Sequence, residues 1–318
     1  MLLDVLIFVA GVSLLVAGAW ALVSGGSRLA TVLGVPPILV GLTVVAWGTS
    51  VPELVVSVMA VLQGRSDMML GNIIGSNVAN IGLILASAAV IMSPQNDRSL
   101  WRLEMPVLLV ATALFAVFCL NGLLGRFEGV VLMCLFAVVT FRGIDGGLRQ
   151  ARRDRENSSG SASISTTGGD RGIMVAVALT VFGVGSLVFG GHWIVVSATR
   201  IATRLGASEI VIGMTLVAVG TSLPELATTL IAAIRRESGI ALGNVVGSNL
   251  FNLLAVGGPV ALLRPVEVAP SLMTREIPSL GLMTLALVAV TLTSRRISRG
   301  AGVALFMLYA VMVAWWIA

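Results

Sequence analysis

The chain has 318 residues, 57% of them hydrophobic and 11% charged, where a soluble domain carries about 25% charged residues. A soluble core of this length cannot hide so much apolar surface, and the mean hydropathy is +1.02, so a cytosolic enzyme, a secreted disulfide scaffold and a disordered chain are excluded. The net charge of +5 comes from arginines scattered between apolar runs, which is the pattern of membrane orientation signals, not of a nucleic-acid binder.

An apolar run of about 20 residues crosses a bilayer as a helix. In chain order the sequence predicts ten such spans, at 3–24, 37–62, 68–92, 104–121, 124–142, 172–197, 208–234, 240–263, 277–293 and 301–317. The first is kept as a span because Met1 to Asp4 lacks the positive start of a signal peptide. Between the fifth and sixth spans, 143–171 carries a charged stretch and a Ser/Gly/Thr tract from Ser158 to Gly169. That composition cannot bury enough apolar area to fold alone, and the segment is expected to be a cytoplasmic linker. It separates a first five-helix unit, 1–142, from a second, 172–318. Cys119 and Cys134 both lie in apolar runs and say nothing about redox compartment.

Arginine sets the orientation. One set of alternate loops holds 14 of the 20, and the other holds six: Arg65, Arg126, Arg200, Arg204, Arg264 and Arg275. The richer set is expected in the cytoplasm, which puts both termini outside. Trp20, Trp101, Trp193, Trp315 and Trp316 lie near span ends and fit an aromatic belt; His192 is expected to be interfacial too.

The two halves repeat at an offset of 172 residues. Gly41 to Leu54 matches Gly213 to Leu226 at 10 of 14 positions, and Gly71 to Asn80 matches Gly243 to Asn252 at the same offset. Five spans per half is an odd number, so the second half is expected to enter from the opposite side. The predicted fold is an all-α membrane protein of ten transmembrane helices in two inverted five-helix repeats, an architecture of secondary transporters.

Of the 15 acidic residues, only Glu53 and Glu225 fall mid-span, and they are repeat mates. An intramembrane acid is a functional candidate by default. With no lysine in the chain and no arginine mid-span, a mobile cation or a proton must neutralise the pair. Thr49 and Ser50 share a helix face with Glu53, as Thr221 and Ser222 do with Glu225. Ser76 and Asn80 are four apart, as are Ser248 and Asn252. These are hard oxygen donors suited to Ca²⁺ or Na⁺, and two glutamates match the charge of Ca²⁺. Pro52 and Pro224 should break their helices and free backbone carbonyls, with those of Ala46 and Ala218 near the cavity. Trp47 is expected to pack near the site. Gly71 with Gly75 and Gly243 with Gly247 are expected to bring the third and eighth spans against the second and seventh. Asn72, Asn77, Asn244 and Asn249 read as ligands or, preferably, as bonds between helices.

Gly48 to Glu53 with Gly71 to Asn77, and Gly220 to Glu225 with Gly243 to Asn249, resemble the paired α-repeats of the calcium/cation antiporter superfamily, most of all its prokaryotic sodium/calcium exchangers. The resemblance covers the whole chain. It implies exchange of several Na⁺ for one Ca²⁺ by alternating access, with the first and sixth spans sliding as a gate. It also implies a ligand set of the Ala46 and Ala218 carbonyls and the side chains of Thr49, Ser50, Glu53, Ser76, Thr221, Ser222, Glu225 and Ser248, with Asn80 and Asn252 at the remaining positions. Some relatives carry Asp at one of those last two places; here both are Asn. No cofactor is expected, since Ca²⁺ and Na⁺ are substrates, and the functional unit is expected to be a monomer in the lipid bilayer of a prokaryotic inner membrane. A Ca²⁺/H⁺ antiporter is the alternative, because buried glutamates also exchange protons. A passive cation channel is disfavoured by the internal symmetry, and an intramembrane hydrolase by the absence of a nucleophile–base pair.

Overall fold

The computed structural model describes residues 1–96, 98–158, 170–205 and 220–317. The helices are α1 (Leu2–Leu33), α2 (Pro37–Thr49), α3 (Val51–Leu62), α4 (Ser66–Met92), α5 (Glu104–Cys119), α6 (Arg126–Ser158), α7 (Asp170–Arg204), α8 (Leu223–Ile234), α9 (Ser238–Leu263), α10 (Pro270–Thr293) and α11 (Arg299–Ile317). Two-residue strands β1 (Leu123–Leu124) and β2 (Val266–Glu267) pair antiparallel at one end of the helices.

Among the described residues seven helices are long and apolar enough to cross a membrane, and α2 with α3, bent by 44°, makes an eighth as one broken span. The chain is an all-helical integral membrane protein. The fourth expected span appears as the 16-residue helix α5. The seventh, 208–234, is described only from residue 220 onwards.

Burial sorts the helices. In their most apolar stretches α9 is 89% buried and α4 72%, against 11% for α6 and 17% for α11. The more buried helices, α4 and α9, form the centre, while α6 and α11 turn most of their surface to lipid.

Helices α1 and α7 run antiparallel in close contact. Gly11, Gly18 and Gly25 recur every seven residues on α1, as do Ala176, Gly183 and Gly190 on α7. A seven-residue period keeps one stripe facing the partner. A Cβ at Gly183 would lie 2.6 Å from the Leu22 nitrogen, and one at Gly25 would lie 2.6 Å from Thr180 Oγ1. The seam ends in an ion pair between Arg204 Nη1 and Asp4 Oδ2 at 2.6 Å, with Arg200 3.9 Å from the same carboxylate.

Segment 143–171 departs from expectation. Residues 143–158 continue α6, with Arg149 Nε bonded to Asp145 Oδ2 at 2.9 Å one turn away. A helix already nucleated in the membrane needs no core of its own to extend. The Ser/Gly/Thr tract lies outside the described residues from 159 to 169.

Gly183→Ala should cost about 1–3 kcal/mol through overpacking against Leu22, seen as a lower Tm in detergent. Gly281→Ala should be neutral or stabilising, because no described atom lies within 4 Å of its would-be Cβ.

Candidate functional site

Pro52 sits in the first turn of α3, and Pro224 in the first turn of α8. Proline removes a backbone donor and crowds the preceding turn, so each helix breaks just before it. The break has the same shape in both halves: Ser50 has φ −89°, ψ 8°, and Ser222 has φ −87°, ψ 4°. Each serine carbonyl then accepts the first bond of the new helix, from Leu54 N at 3.2 Å and from Leu226 N at 3.0 Å. Glu53 and Glu225 thereby fall in first turns, where the helix dipole favours negative charge.

The carboxylates meet at the centre of the molecule. Ser50 Oγ donates to Glu225 Oε1 at 2.7 Å, and Ser222 Oγ lies 3.2 Å from Glu53 Oε1. Ser222 Oγ is also 3.3 Å from Ser76 Oγ, which brings in α4. Both glutamates are 1% exposed, and Thr49, Ser50, Ser76, Asn80, Thr221, Ser222, Ser248 and Asn252 are all buried as well. Among the described residues neither carboxylate has an arginine partner.

Several buried oxygens have no hydrogen-bond partner among the described residues: Glu53 Oε2, Glu225 Oε2, Asn80 Oδ1, Asn252 Oδ1 and Ser248 Oγ. Each is an acceptor left over after the site's internal bonds are made. Orphaned buried oxygens are costly, and two carboxylates among them suit a hard divalent or monovalent cation.

The remaining expected ligands are engaged. The Ala46 carbonyl accepts Ser50 N at 3.0 Å and Thr49 Oγ1 at 3.2 Å, so it stays within the helix rather than free. Thr49 Oγ1 also lies 3.2 Å from Asn244 Oδ1, and Thr221 Oγ1 lies 3.4 Å from Asn72 Oδ1. Ala218 lies outside the described residues. Segments of π-helix run through Gly41–Val45, Asn80–Leu85 and Phe251–Val256. Such wide turns gather at functional sites, and here they abut Ala46 and contain Asn80 and Asn252.

Asn72 and Asn244 form the frame. Asn72 Nδ2 donates to the Glu53 carbonyl at 3.1 Å and to Ser57 Oγ at 2.9 Å. Asn244 Nδ2 does the same for the Glu225 carbonyl at 3.4 Å and Thr229 Oγ1 at 2.9 Å. Ser57 and Thr229 were not singled out from sequence. The signal was there: they are repeat mates four residues beyond the glutamates, on the same helix face. Asn80 Nδ2 reaches Asn249 Oδ1 at 3.0 Å, joining α4 to α9, whereas among the described residues Asn77 Nδ2 bonds Ile73 O on its own helix.

The glycine pairs divide. A Cβ at Gly243 would lie 2.6 Å from the Ile38 carbonyl, and Gly247 abuts Leu42, so α9 packs backbone to backbone on α2. For Gly71 and Gly75 no described atom lies within 4 Å of a would-be Cβ, and the repeat mates of Ile38 and Leu42, at 210 and 214, are outside the described residues. Trp47 packs on Phe136 and Phe251, next to Asn252, at 5.6 and 6.4 Å. His192, Trp20, Trp193 and Trp315 are exposed.

A helical membrane protein with paired carboxylates and amide and hydroxyl oxygens in its core is built as an ion transporter. Residues 3–143 and 175–318 match the Sodium/calcium exchanger protein family. The inner membrane protein YrbG of Escherichia coli (strain K12) is 34% identical over 326 residues, covering 99% of this chain and 98% of YrbG. The sodium/calcium exchanger MaX1 of Methanosarcina acetivorans is 32% identical, covering 97% of each chain. A solved structure of the sodium-calcium exchanger NCX_Mj, soaked with Na⁺ and Ca²⁺, superposes with a TM-score of 0.86 at 31% identity, over 99% of this chain and 98% of that one. The chain belongs to the sodium/calcium exchanger family.

Asn244→Leu should lower stability by about 1–3 kcal/mol, because it strips buried partners from Thr49, Thr229 and the Glu225 carbonyl. Asn77→Leu should cost less, and thermal unfolding in detergent would compare the two.

Proposed function

We propose that this protein is a secondary active antiporter that exchanges Na⁺ for Ca²⁺ by alternating access, through one central site between its halves. The observation that carries this reading is the reciprocal pair of buried serine–carboxylate bonds, each of which leaves the second carboxylate oxygen without a hydrogen-bond or arginine partner among the described residues. Removing two charges from water costs several kcal/mol per ion. A carboxylate pair without a protein counter-charge therefore favours an ion-loaded state and resists closure when unloaded. This property couples the flow of one ion to that of the other.

In this reading Glu53, Glu225, Asn80, Asn252 and Ser248 supply the free oxygens. Thr49, Ser50, Ser76, Thr221 and Ser222 join by rotating their hydroxyls; rotation of Thr49 frees one lone pair of the Ala46 carbonyl, which joins the set with that of Ala218. The chain crosses the membrane ten times: α2 with α3 forms one span, α8 belongs to another, and α5 spans as a short helix. The repeats at 1–142 and 172–318 are inverted, the segment 143–171 joins them in the cytoplasm, and both termini lie outside. One chain suffices. The gate is the α1–α7 pair, supported by the contact of Val184 with Gly48 and of Val195 with Gly220. These two valines are 11 residues apart on α7, so one helix touches both breaks.

Proteoliposomes loaded with Na⁺ should take up ⁴⁵Ca²⁺ when diluted into Na⁺-free medium, and should not respond to a pH gradient alone. Uptake driven by pH and indifferent to Na⁺ would establish the Ca²⁺/H⁺ alternative, and uptake without any gradient would indicate a channel. Glu53→Gln and Glu225→Gln should each reduce Na⁺-driven flux by at least tenfold, and near-normal flux in either would remove the basis of the proposal. In wild type, Ca²⁺ at 100 times its Kd should stabilise the fold by about 2.7 kcal/mol. That rise in Tm should vanish in Glu53→Gln.

A further inference from the structure

We propose that the end of the molecule where α4 ends and α9 and α11 begin holds a binding site for a phosphate-bearing anion, formed by Arg236, Arg296 and Arg299. These arginines line a cavity of about 840 Å³ together with Ser238, Gly239 and Glu237. Among the described residues none of the three arginines is in an ion pair. The acid in the lining, Glu237, is engaged, accepting Ser27 Oγ at 2.9 Å on Oε1. Helix α9 opens at Ser238 without a side-chain cap, so its first N–H groups add positive potential at the cavity wall. Arginine forks and free backbone N–H groups are the donor set that recognises phosphate.

Two features set this site apart from ordinary positive residues at a membrane face. The first is the backbone at Arg236, which has φ +63°. A residue with a side chain in the left-handed region is strained. Its repeat mate in the other half, 172 residues earlier, is Gly64, with φ +72°. The same turn is thus made once with the residue it favours and once with an arginine that strains it, and retained strain points to a use for the side chain. The second is convergence. Arg299 opens α11 as Arg126 opens α6, at an offset of 173, so that charge belongs to the repeat, but Arg296 falls opposite a leucine and Arg236 opposite Gly64, so two of the three charges belong to this half alone. Orientation signals explain an excess of arginine at one face, but they require neither a shared cavity nor a strained position.

The cavity is large enough for a glycerophosphate head group, and it opens where membrane helices end. A phospholipid head group and free phosphate share the chemistry that these arginines read. The test uses the full-length protein purified in detergent. In one arm, native mass spectrometry measures retention of phosphatidylglycerol against phosphatidylcholine. In the other, inorganic phosphate is titrated in a thermal-unfolding assay. Arg236→Gly is the central variant. It should raise the ligand-free Tm by relieving the strained turn, and it should weaken anion binding about tenfold, the loss expected for one charge-assisted contact. The triple variant Arg236→Gly, Arg296→Gln, Arg299→Gln should abolish binding, and Arg264→Gln, outside the cavity lining, should leave it unchanged. Selective retention of phosphatidylglycerol identifies a lipid head group as the occupant; stabilisation by phosphate alone identifies a soluble anion. Equal behaviour of wild type and Arg236→Gly in both arms would overturn the proposal.

Discussion

Each carboxylate at the centre of this protein is held by a serine from the other half of the chain. Ser50 reaches Glu225 and Ser222 reaches Glu53, so neither half completes its own site. The serines stand at the two proline-dependent breaks, which ties the backbone conformation of both interrupted spans to the position of both acids. Everything else at the centre follows from this exchange. Asn72 and Asn244 hold the carbonyls of the same glutamates, and α4 and α9 are buried because they carry those asparagines. The oxygens left over are the ones that a cation can use.

The exchange also explains why the interior tolerates so much polarity. Buried hydroxyls and amides are acceptable when their partners are supplied, and here Asn72 and Asn244 partner Thr49, Ser57, Thr221 and Thr229. Among the described residues the atoms left unpartnered include one oxygen of each of the two central glutamates. In a membrane interior two such carboxylates, with no arginine partner among the described residues, are costly to keep charged without a counter-ion.

Around this centre lies a second, looser assembly. The glycine stripe lets α1 and α7 approach closely along their length, and Asp4 with Arg204 closes one end. At the other end α1 is fastened to the turn after α8: the Arg235 guanidinium lies 4.4 Å from the Trp20 ring centre, and Ser27 bonds Glu237. Glycine allows close approach without interlocking side chains, so the pair is tightly joined to itself and more lightly to the core.

The membrane class, the site acids and their hydroxyl and amide neighbours were legible because lipid makes polarity conspicuous: two mid-span acids at one repeat offset stand out against an apolar background. The bond pattern among them was less so. Sequence put Thr49 and Ser50 on the face of Glu53, yet Ser50 bonds Glu225 and Thr49 turns towards Asn244. Helix periodicity gives the face a side chain occupies, not the helix that meets it. Nor did composition reveal that α6 would continue through 143–158, since extending a formed helix depends on its existing turns more than on local hydropathy.

By itself, then, the sequence determined that the chain lives in a bilayer, that it contains a duplicated element, and which residues carry charge into the apolar interior. These are properties of composition and spacing, which need no knowledge of neighbours. Tertiary structure alone decided that each half would complete the other's carboxylate, that Ala46 would keep its carbonyl within the helix, and that Arg236, Arg296 and Arg299 would line one cavity. Those outcomes depend on contacts between residues as many as 175 apart in the chain, and such contacts are set by how helices pack, which no local pattern records.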